Sequence, residues 1–166
     1  MALLRFKYND SNDDAGFKCG GTVINNRYIL TAAHCVQPHQ LFYVNEVRVG
    51  EWNISASDCE EGEVLNCADS VLDLKIEEKS YIHKKLSLNN TFHKQTNYVW
   101  PICLPVSETP DPSVGSTMTV AGWGVTKNGT TSNAKLKLLV PIVSRDYCNT
   151  KLANSDGVDS TQICAG

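Results

Sequence analysis

The stretch Tyr28-Ile-Leu-Thr-Ala-Ala-His-Cys35 decides the fold class of this 166-residue chain. It joins a short apolar run of β type to a histidine and a cysteine. Imidazole titrates near neutral pH, so a histidine held at the end of a strand suits a general base that takes and returns a proton. The stretch therefore predicts a β-strand that leads to a candidate catalytic residue, His34.

The composition is that of an ordinary globular domain, with 42% hydrophobic residues, 20% charged residues and a net charge of −3. This charge balance gives no reason to expect nucleic acid or an anionic membrane as a partner. No apolar run approaches the roughly 20 residues that a transmembrane helix needs. We therefore expect one domain with a real core and no membrane segment.

Seven cysteines and four Asn-x-Ser/Thr sequons point to an oxidising compartment and predict a secreted, extracellular protein. The sequons, which are candidate glycosylation sites, begin at Asn9, Asn53, Asn89 and Asn128. Because seven is an odd number, one thiol is either free or paired with a cysteine outside the given chain.

Five short blocks follow one another along the chain: Cys19-Gly-Gly, Thr31-Ala-Ala-His-Cys, Pro101-Ile-Cys-Leu-Pro, Ala121-Gly-Trp-Gly and Cys164-Ala-Gly. In this order they resemble trypsin-like (chymotrypsin-family) serine proteases, most of all the catalytic domain of arthropod clip-domain serine proteases. The resemblance implies an all-β fold of two antiparallel β-barrels with the active site between them. We expect the fold to be incomplete, with the first barrel lacking a strand and about half of the second present.

The resemblance extends over residues 1–166, which it makes a partial peptidase domain. It assigns residues 1–107 to the first barrel and residues 117–166 to the start of the second. A Pro-rich stretch separates the two and is typical of a connection.

The cysteines have expected partners. Cys19 and Cys35 bracket the hairpin that leads to His34, and a bridge between them would clip its strands together. The resemblance predicts that bridge and implies two more, between the members of the pairs Cys59 with Cys67 and Cys148 with Cys164. Cys103 remains, and in clip-domain proteases the matching cysteine tethers the catalytic domain to an upstream light chain. The alternative for Cys103 is a buried free thiol.

By resemblance, His34 is the general base of a Ser-His-Asp triad. However, no Asp or Glu occurs between His83 and Trp100, where the family's aspartate belongs, and neither Gly-Asp-Ser-Gly nor Gly-x-Ser-x-Gly occurs anywhere. Asp69 and Asp73 precede that position, so we expect them on a solvated strand face rather than in a triad. Because losing one triad member costs on the order of 10⁴ in rate, the chain as written is expected to be inactive.

The resemblance thus implies a truncated part of a secreted serine endopeptidase that acts on a protein substrate, such as a zymogen in a cascade. The alternative, favoured by the missing aspartate, is a non-catalytic serine protease homologue that acts as a binding or cofactor protein. We expect no metal and no cofactor. The family sometimes binds calcium in the loop that holds Glu51, Asn53 and Glu61, for which we expect a solvated acidic loop instead.

Overall fold

The computed structural model of the chain describes residues 1–37, 39–55, 71–80, 85–89, 99–152 and 157–166. These residues divide into two compact units, Met1–Leu104 and Pro105–Gly166. The Pro-rich stretch that the sequence analysis treated as a connection belongs to the second unit.

The first unit is a closed barrel of six antiparallel strands in the order β1-β2-β3-β6-β5-β4. The strands are β1 Ala2–Tyr8, β2 Asp14–Val23, β3 Tyr28–Leu30, β4 Phe42–Val49, β5 Leu72–Ser80 and β6 Lys85–Leu88. The ring closes because β1 pairs with β2 on one side and with β4 on the other. The predicted all-β class is confirmed.

Alternation of side chains gives the barrel an apolar interior. On β1, Ala2, Leu4 and Phe6 are buried in the core. On β5, Leu72 and Leu74 pack against the same core, and Asp73 between them is exposed. This period of two is what a strand with one buried face requires.

A β-bulge in β4 shifts the alternation of side chains, so that Val44 and Val47 both face the core although they are three residues apart. Arg5 pairs with Glu46, but the next residue, Phe6, pairs with Val44, so Asn45 has no partner in the ladder. The extra residue reverses the alternation, and both Val44 and Val47 are buried as a result.

The sequence predicts no strand in the stretch that follows β5, yet β6 lies there, between β3 and β5. Leu86 and Leu88 have no exposed surface, and Ser87 between them is 6% exposed. Four residues are too few to display a strand pattern, so burial by the neighbouring strands identifies this one. With β6 in place the barrel closes, although the resemblance implies that a strand's worth of sequence is absent.

In the second unit, β7 Thr117–Gly122 pairs with β8 Leu136–Pro141 in an antiparallel hairpin. A helix, α2 Arg145–Lys151, follows, and Ser144 caps it by accepting a hydrogen bond from the Tyr147 N–H at 3.1 Å. The remaining helix, α1 Ala33–Val36, belongs to the first unit. Among the described residues, no helix is long and apolar enough to cross a membrane.

Gly21 is required where β2 meets β3. A Cβ atom built at this position would lie 2.6 Å from Cγ2 of Ile29 and 3.3 Å from the carbonyl oxygen of Leu30. Ile29 is fully buried in the core, so its side chain has no room to move away. The neighbouring Gly20 meets only the Ala2 carbonyl oxygen, at 3.8 Å.

We predict that Gly21→Ala lowers the free energy of unfolding by about 1–3 kcal/mol, because the added methyl group overpacks the core. Gly20→Ala is the matched control, since its methyl group enters ordinary contact, and we expect a much smaller change. Urea denaturation of the two variants measures the difference. Equal stability of the two variants would show that β2 and β3 separate easily at this point.

Candidate functional site

His34 lies on the short turn that follows β3. Ala32 has an extended backbone, and α1 begins at Ala33. The N–H of Cys35 donates to the Ala32 carbonyl at 3.0 Å. Cys35 is buried in the core, whereas His34 is exposed. The same turn therefore anchors one side chain and presents the imidazole to solvent.

Two contacts fix this turn to β2. The hydroxyl of Thr31 donates to the Gly20 carbonyl at 2.8 Å. A disulfide joins Cys19 to Cys35, with their Cα atoms 6.0 Å apart. The backbone that carries His34 is thus held on both sides, which limits the positions that its imidazole can reach. Thr31 belongs to the motif around His34, but its contact with β2 is not predictable from the motif.

The group formed by Cys19, His34 and Cys35 brings one ligand-type atom from each residue within 4.8 Å of the others. Two sulfurs and an imidazole are typical zinc ligands. However, metal binding by cysteine requires the thiolate, and both sulfurs here are joined in a disulfide. The residues present therefore do not fit a metal ion.

Asp73 does not orient the imidazole, because Arg48 occupies it. Arg48 donates from Nε to Oδ1 at 2.8 Å and from Nη2 to Oδ2 at 2.7 Å, a bidentate pair on neighbouring strands. These hydrogen bonds lower the pKa of Asp73 below its ordinary value, although partial burial acts in the opposite direction. Asp73 thus lies on an exposed strand face, where it forms an ion pair with Arg48. Asp69, the other candidate, lies outside the described residues.

No hydrogen bond or ion pair joins the His34 ring to any other described residue of the first unit. Of the stretch from His83 to Trp100, where the family's aspartate belongs, the structure describes residues 85–89 and 99–100. In the described part of the first unit, His34 is thus held in position, but no carboxylate orients its ring.

The expected acidic loop begins with Glu51, whose carboxylate already accepts hydrogen bonds from neighbouring residues of the chain. Glu51 Oε1 accepts from the backbone N–H groups of Trp52 at 2.8 Å and Asn53 at 2.9 Å, and its Oε2 accepts from Arg48 at 3.4 Å. Asn53 Oδ1 accepts from the N–H and the hydroxyl of Ser55. These oxygens are directed at the chain rather than at a common point, so the two residues do not fit calcium. Glu61 lies outside the described residues.

The remaining cysteines are placed as follows. A second disulfide joins Cys148 of α2 to Cys164, with Cα atoms 6.4 Å apart. Cys103 is the one described cysteine without a disulfide partner, and it is exposed rather than buried. Cys59 and Cys67 lie outside the described residues.

Cys103 lies on a segment with a fixed backbone. Val99 is buried in the core of the first unit, and the N–H of Ile102 donates to the Val23 carbonyl of β2 at 2.9 Å. The exposed thiol is therefore held at a defined position on the surface of this unit.

The four sequon asparagines lie at turns or strand ends. Asn9 lies in the turn between β1 and β2, Asn53 follows β4, Asn89 follows β6, and Asn128 lies in the turn between β7 and β8. Asn53 is half-buried and the other three are exposed.

Comparisons with known proteins agree with this architecture. The family model described as Trypsin matches residues 4–166. "Phenoloxidase-activating factor 1" of Holotrichia diomphalia is 41% identical over 177 residues, which cover 96% of this chain and 48% of that protein. "CLIP domain-containing serine protease HP8" of Bombyx mori is 38% identical over 188 residues, which cover 100% of this chain and 48% of that protein.

A solved structure is similar as well. The crystal structure of the Drosophila Grass clip serine protease of the Toll pathway matches with a TM-score of 0.70 and 33% identity, over 99% of this chain and 49% of that one. The chain thus spans about half the length of the relatives it matches. The predicted resemblance to clip-domain serine proteases and the incomplete, chymotrypsin-like fold are confirmed.

We predict that Asp73→Asn lowers stability above about pH 4 and has little effect in more acidic solution. The folded-state pKa of Asp73 is depressed, so its ion pair stabilises the fold above the unfolded pKa of about 3.9 and is lost as pH falls through the folded value. Glu78→Gln, on the same strand, is the control. Thermal melts over a pH series measure both, and a difference from wild type that does not vary with pH would contradict the prediction.

Proposed function

The chain belongs to the trypsin family, and on that premise we propose that it is part of a secreted serine endopeptidase of clip-domain type. In this proposal His34 is the general base. It accepts the proton of a serine hydroxyl during attack on a peptide carbonyl and returns it to the leaving amine. The observation that carries the proposal is the exposed imidazole on a turn held by Thr31 and by the Cys19–Cys35 disulfide.

We further propose that these 166 residues by themselves have no peptidase activity. They contain no Gly-Asp-Ser-Gly block to supply a nucleophile, and no carboxylate between His83 and Trp100. A triad acts as a unit, so a base without its nucleophile adds almost nothing to the rate. The site is therefore expected to be complete only in a longer protein that supplies the two missing blocks.

The proposed substrate is a protein, and its cleavage activates a zymogen in an extracellular cascade. The name of the Holotrichia diomphalia relative describes activation of another protein. Disulfides and sequons support secretion, because both are typical of chains that pass through an oxidising compartment.

A second candidate function is a non-catalytic homologue that binds other proteins on the same scaffold. One observation favours it: Asp73, the described one of the two aspartates weighed for the triad, is paired with Arg48. The intact motif around His34 favours the protease, since a binding protein has no need of the base.

The proposed partner is an upstream light chain or clip domain, joined through Cys103. The thiol is exposed, and the residues before it are anchored to the barrel by Val99 and Ile102. A disulfide at this point would attach the partner to the first unit without disturbing the barrel.

Sequencing the transcript through codons 83–100 and beyond codon 166 tests the protease proposal. We expect an aspartate-bearing strand and a Gly-Asp-Ser-Gly-Gly block. Protein made from that transcript should cleave a fluorogenic peptide, and His34→Ala should reduce the rate on the order of 10⁴-fold. His39→Ala is the matched control and should retain activity. A spliced message without the two blocks would favour the binding protein.

The tether proposal has its own test. The secreted protein, run without reductant, should migrate as a disulfide-linked pair that reduction separates. Cys103→Ser should abolish the linked species, and Ser107→Ala, an exposed hydroxyl change nearby, should leave it intact. A single chain of unchanged mass with a reactive thiol would contradict the tether.

A further inference from the structure

The four sequons do not present equivalent asparagine side chains, and the difference concerns the nitrogen that would carry a sugar. In N-glycosylation the Nδ2 atom forms a bond to the anomeric carbon of a lipid-linked oligosaccharide. The bond from that carbon to the pyrophosphate oxygen breaks, the lipid pyrophosphate leaves with the electron pair, and the nitrogen loses one proton. A modified Nδ2 therefore keeps a single N–H and needs open space in the folded protein.

We infer that an N-linked oligosaccharide is attached at Asn128 and not at Asn9, whose side-chain amide serves as a structural clamp. The inference rests on the proposed secretion, because the transfer takes place in the secretory pathway.

Asn9 uses both hydrogens of its amide. Nδ2 donates to the carbonyl of His39 at 2.7 Å and to the carbonyl of Gln40 at 2.9 Å. The backbone N–H of Asn9 also donates to the Leu41 carbonyl at 3.0 Å. A sugar on Nδ2 would remove one of the two side-chain hydrogen bonds and would occupy the space in which the turn after β1 meets the segment before β4.

The segment that Asn9 holds is itself joined to the core. The His39 ring stacks on the Phe42 ring with centroids 4.0 Å apart, and Phe42 meets the buried Phe6 edge-on at 5.6 Å. The hydroxyl of Tyr43 donates to Asn12 Oδ1 at 2.9 Å across the same contact. The clamp therefore cannot swing away to admit a sugar without disturbing these aromatic contacts.

Asn128 has the opposite surroundings. The turn between β7 and β8 is held by its own backbone, in which Thr126 N–H donates to the Thr130 carbonyl at 2.8 Å and Gly129 N–H donates to the Thr126 carbonyl at 2.9 Å. Gly129 has a φ of +78°, which a glycine adopts without strain. The Asn128 side chain is exposed and makes no hydrogen bond to any described residue, so a sugar there displaces nothing.

The test is to secrete the full chain from insect cells behind a signal peptide, so that the outcome does not depend on how the native protein is exported. Peptide N-glycosidase converts each modified asparagine to aspartate, which mass spectrometry of proteolytic peptides locates. We expect conversion at Asn128 and none at Asn9. Conversion at Asn9, or an unmodified Asn128, would overturn the inference.

Two matched variants separate the sites without changing either asparagine. Thr130→Ala removes the sequon of Asn128 but keeps the backbone carbonyl that holds the turn. We expect the mass of the secreted protein to fall by the mass of one glycan. Ser11→Ala removes the sequon of Asn9 and should leave the mass of the glycans unchanged. A loss of glycan mass in Ser11→Ala would contradict the inference.

A stability measurement tests the clamp independently of any sugar. In protein treated with glycosidase, Asn9→Ala should lower the melting temperature, because the substitution removes two hydrogen bonds and releases the segment that they hold. Asn128→Ala should leave it unchanged. Equal melting temperatures for the two variants would show that Asn9 is not a clamp, and this result would leave the protease proposal unaffected.

Discussion

The close approach of β2 and β3 is the constraint on which the candidate site depends. Gly21 permits it because the space that a side chain would take is filled by Ile29. Beyond the strands, Thr31 is hydrogen-bonded to β2, and the Cys19–Cys35 disulfide ties the following turn to the same strand. Backbone packing and covalent linkage therefore position His34, and its ring forms no hydrogen bond or ion pair with the described residues of the first unit.

The outer surface of the barrel is organised differently from its interior. Arg48 pairs with Asp73 and lies over the Phe17 ring at 5.2 Å, and Arg5 pairs with Asp14 and lies over the same ring at 5.7 Å. Exposed ion pairs of this kind contribute about 0–1 kcal/mol each, so barrel closure depends on burial of the apolar interior. The network has a consequence for function, because it pairs with Arg48 the carboxylate of Asp73, which the sequence predicts on a strand face rather than in a triad.

Much of the fold was accessible from local patterns. The apolar run predicted the strand that leads to His34, Asp73 was expected on a solvated strand face, and the cysteines that bracket the hairpin, together with the resemblance, suggested the bridge from Cys19 to Cys35. The four-residue strand at Lys85–Leu88 and the bulge at Asn45 were not predicted. Both depend on how a neighbouring strand is aligned, and no short window of sequence contains that alignment.

The sequence by itself determined the family, the residue suited to act as a base, and the identity of the groups that the triad chemistry lacks. Only the tertiary structure decided which polar groups are already engaged. Asp73 meets Arg48, and the amide of Asn9 meets carbonyl groups about thirty residues away. Asn128, in an equally valid sequon, is exposed and has no such contact among the described residues. The physical reason is that a hydrogen bond depends on distance in space, and strand pairing brings together residues that the sequence separates.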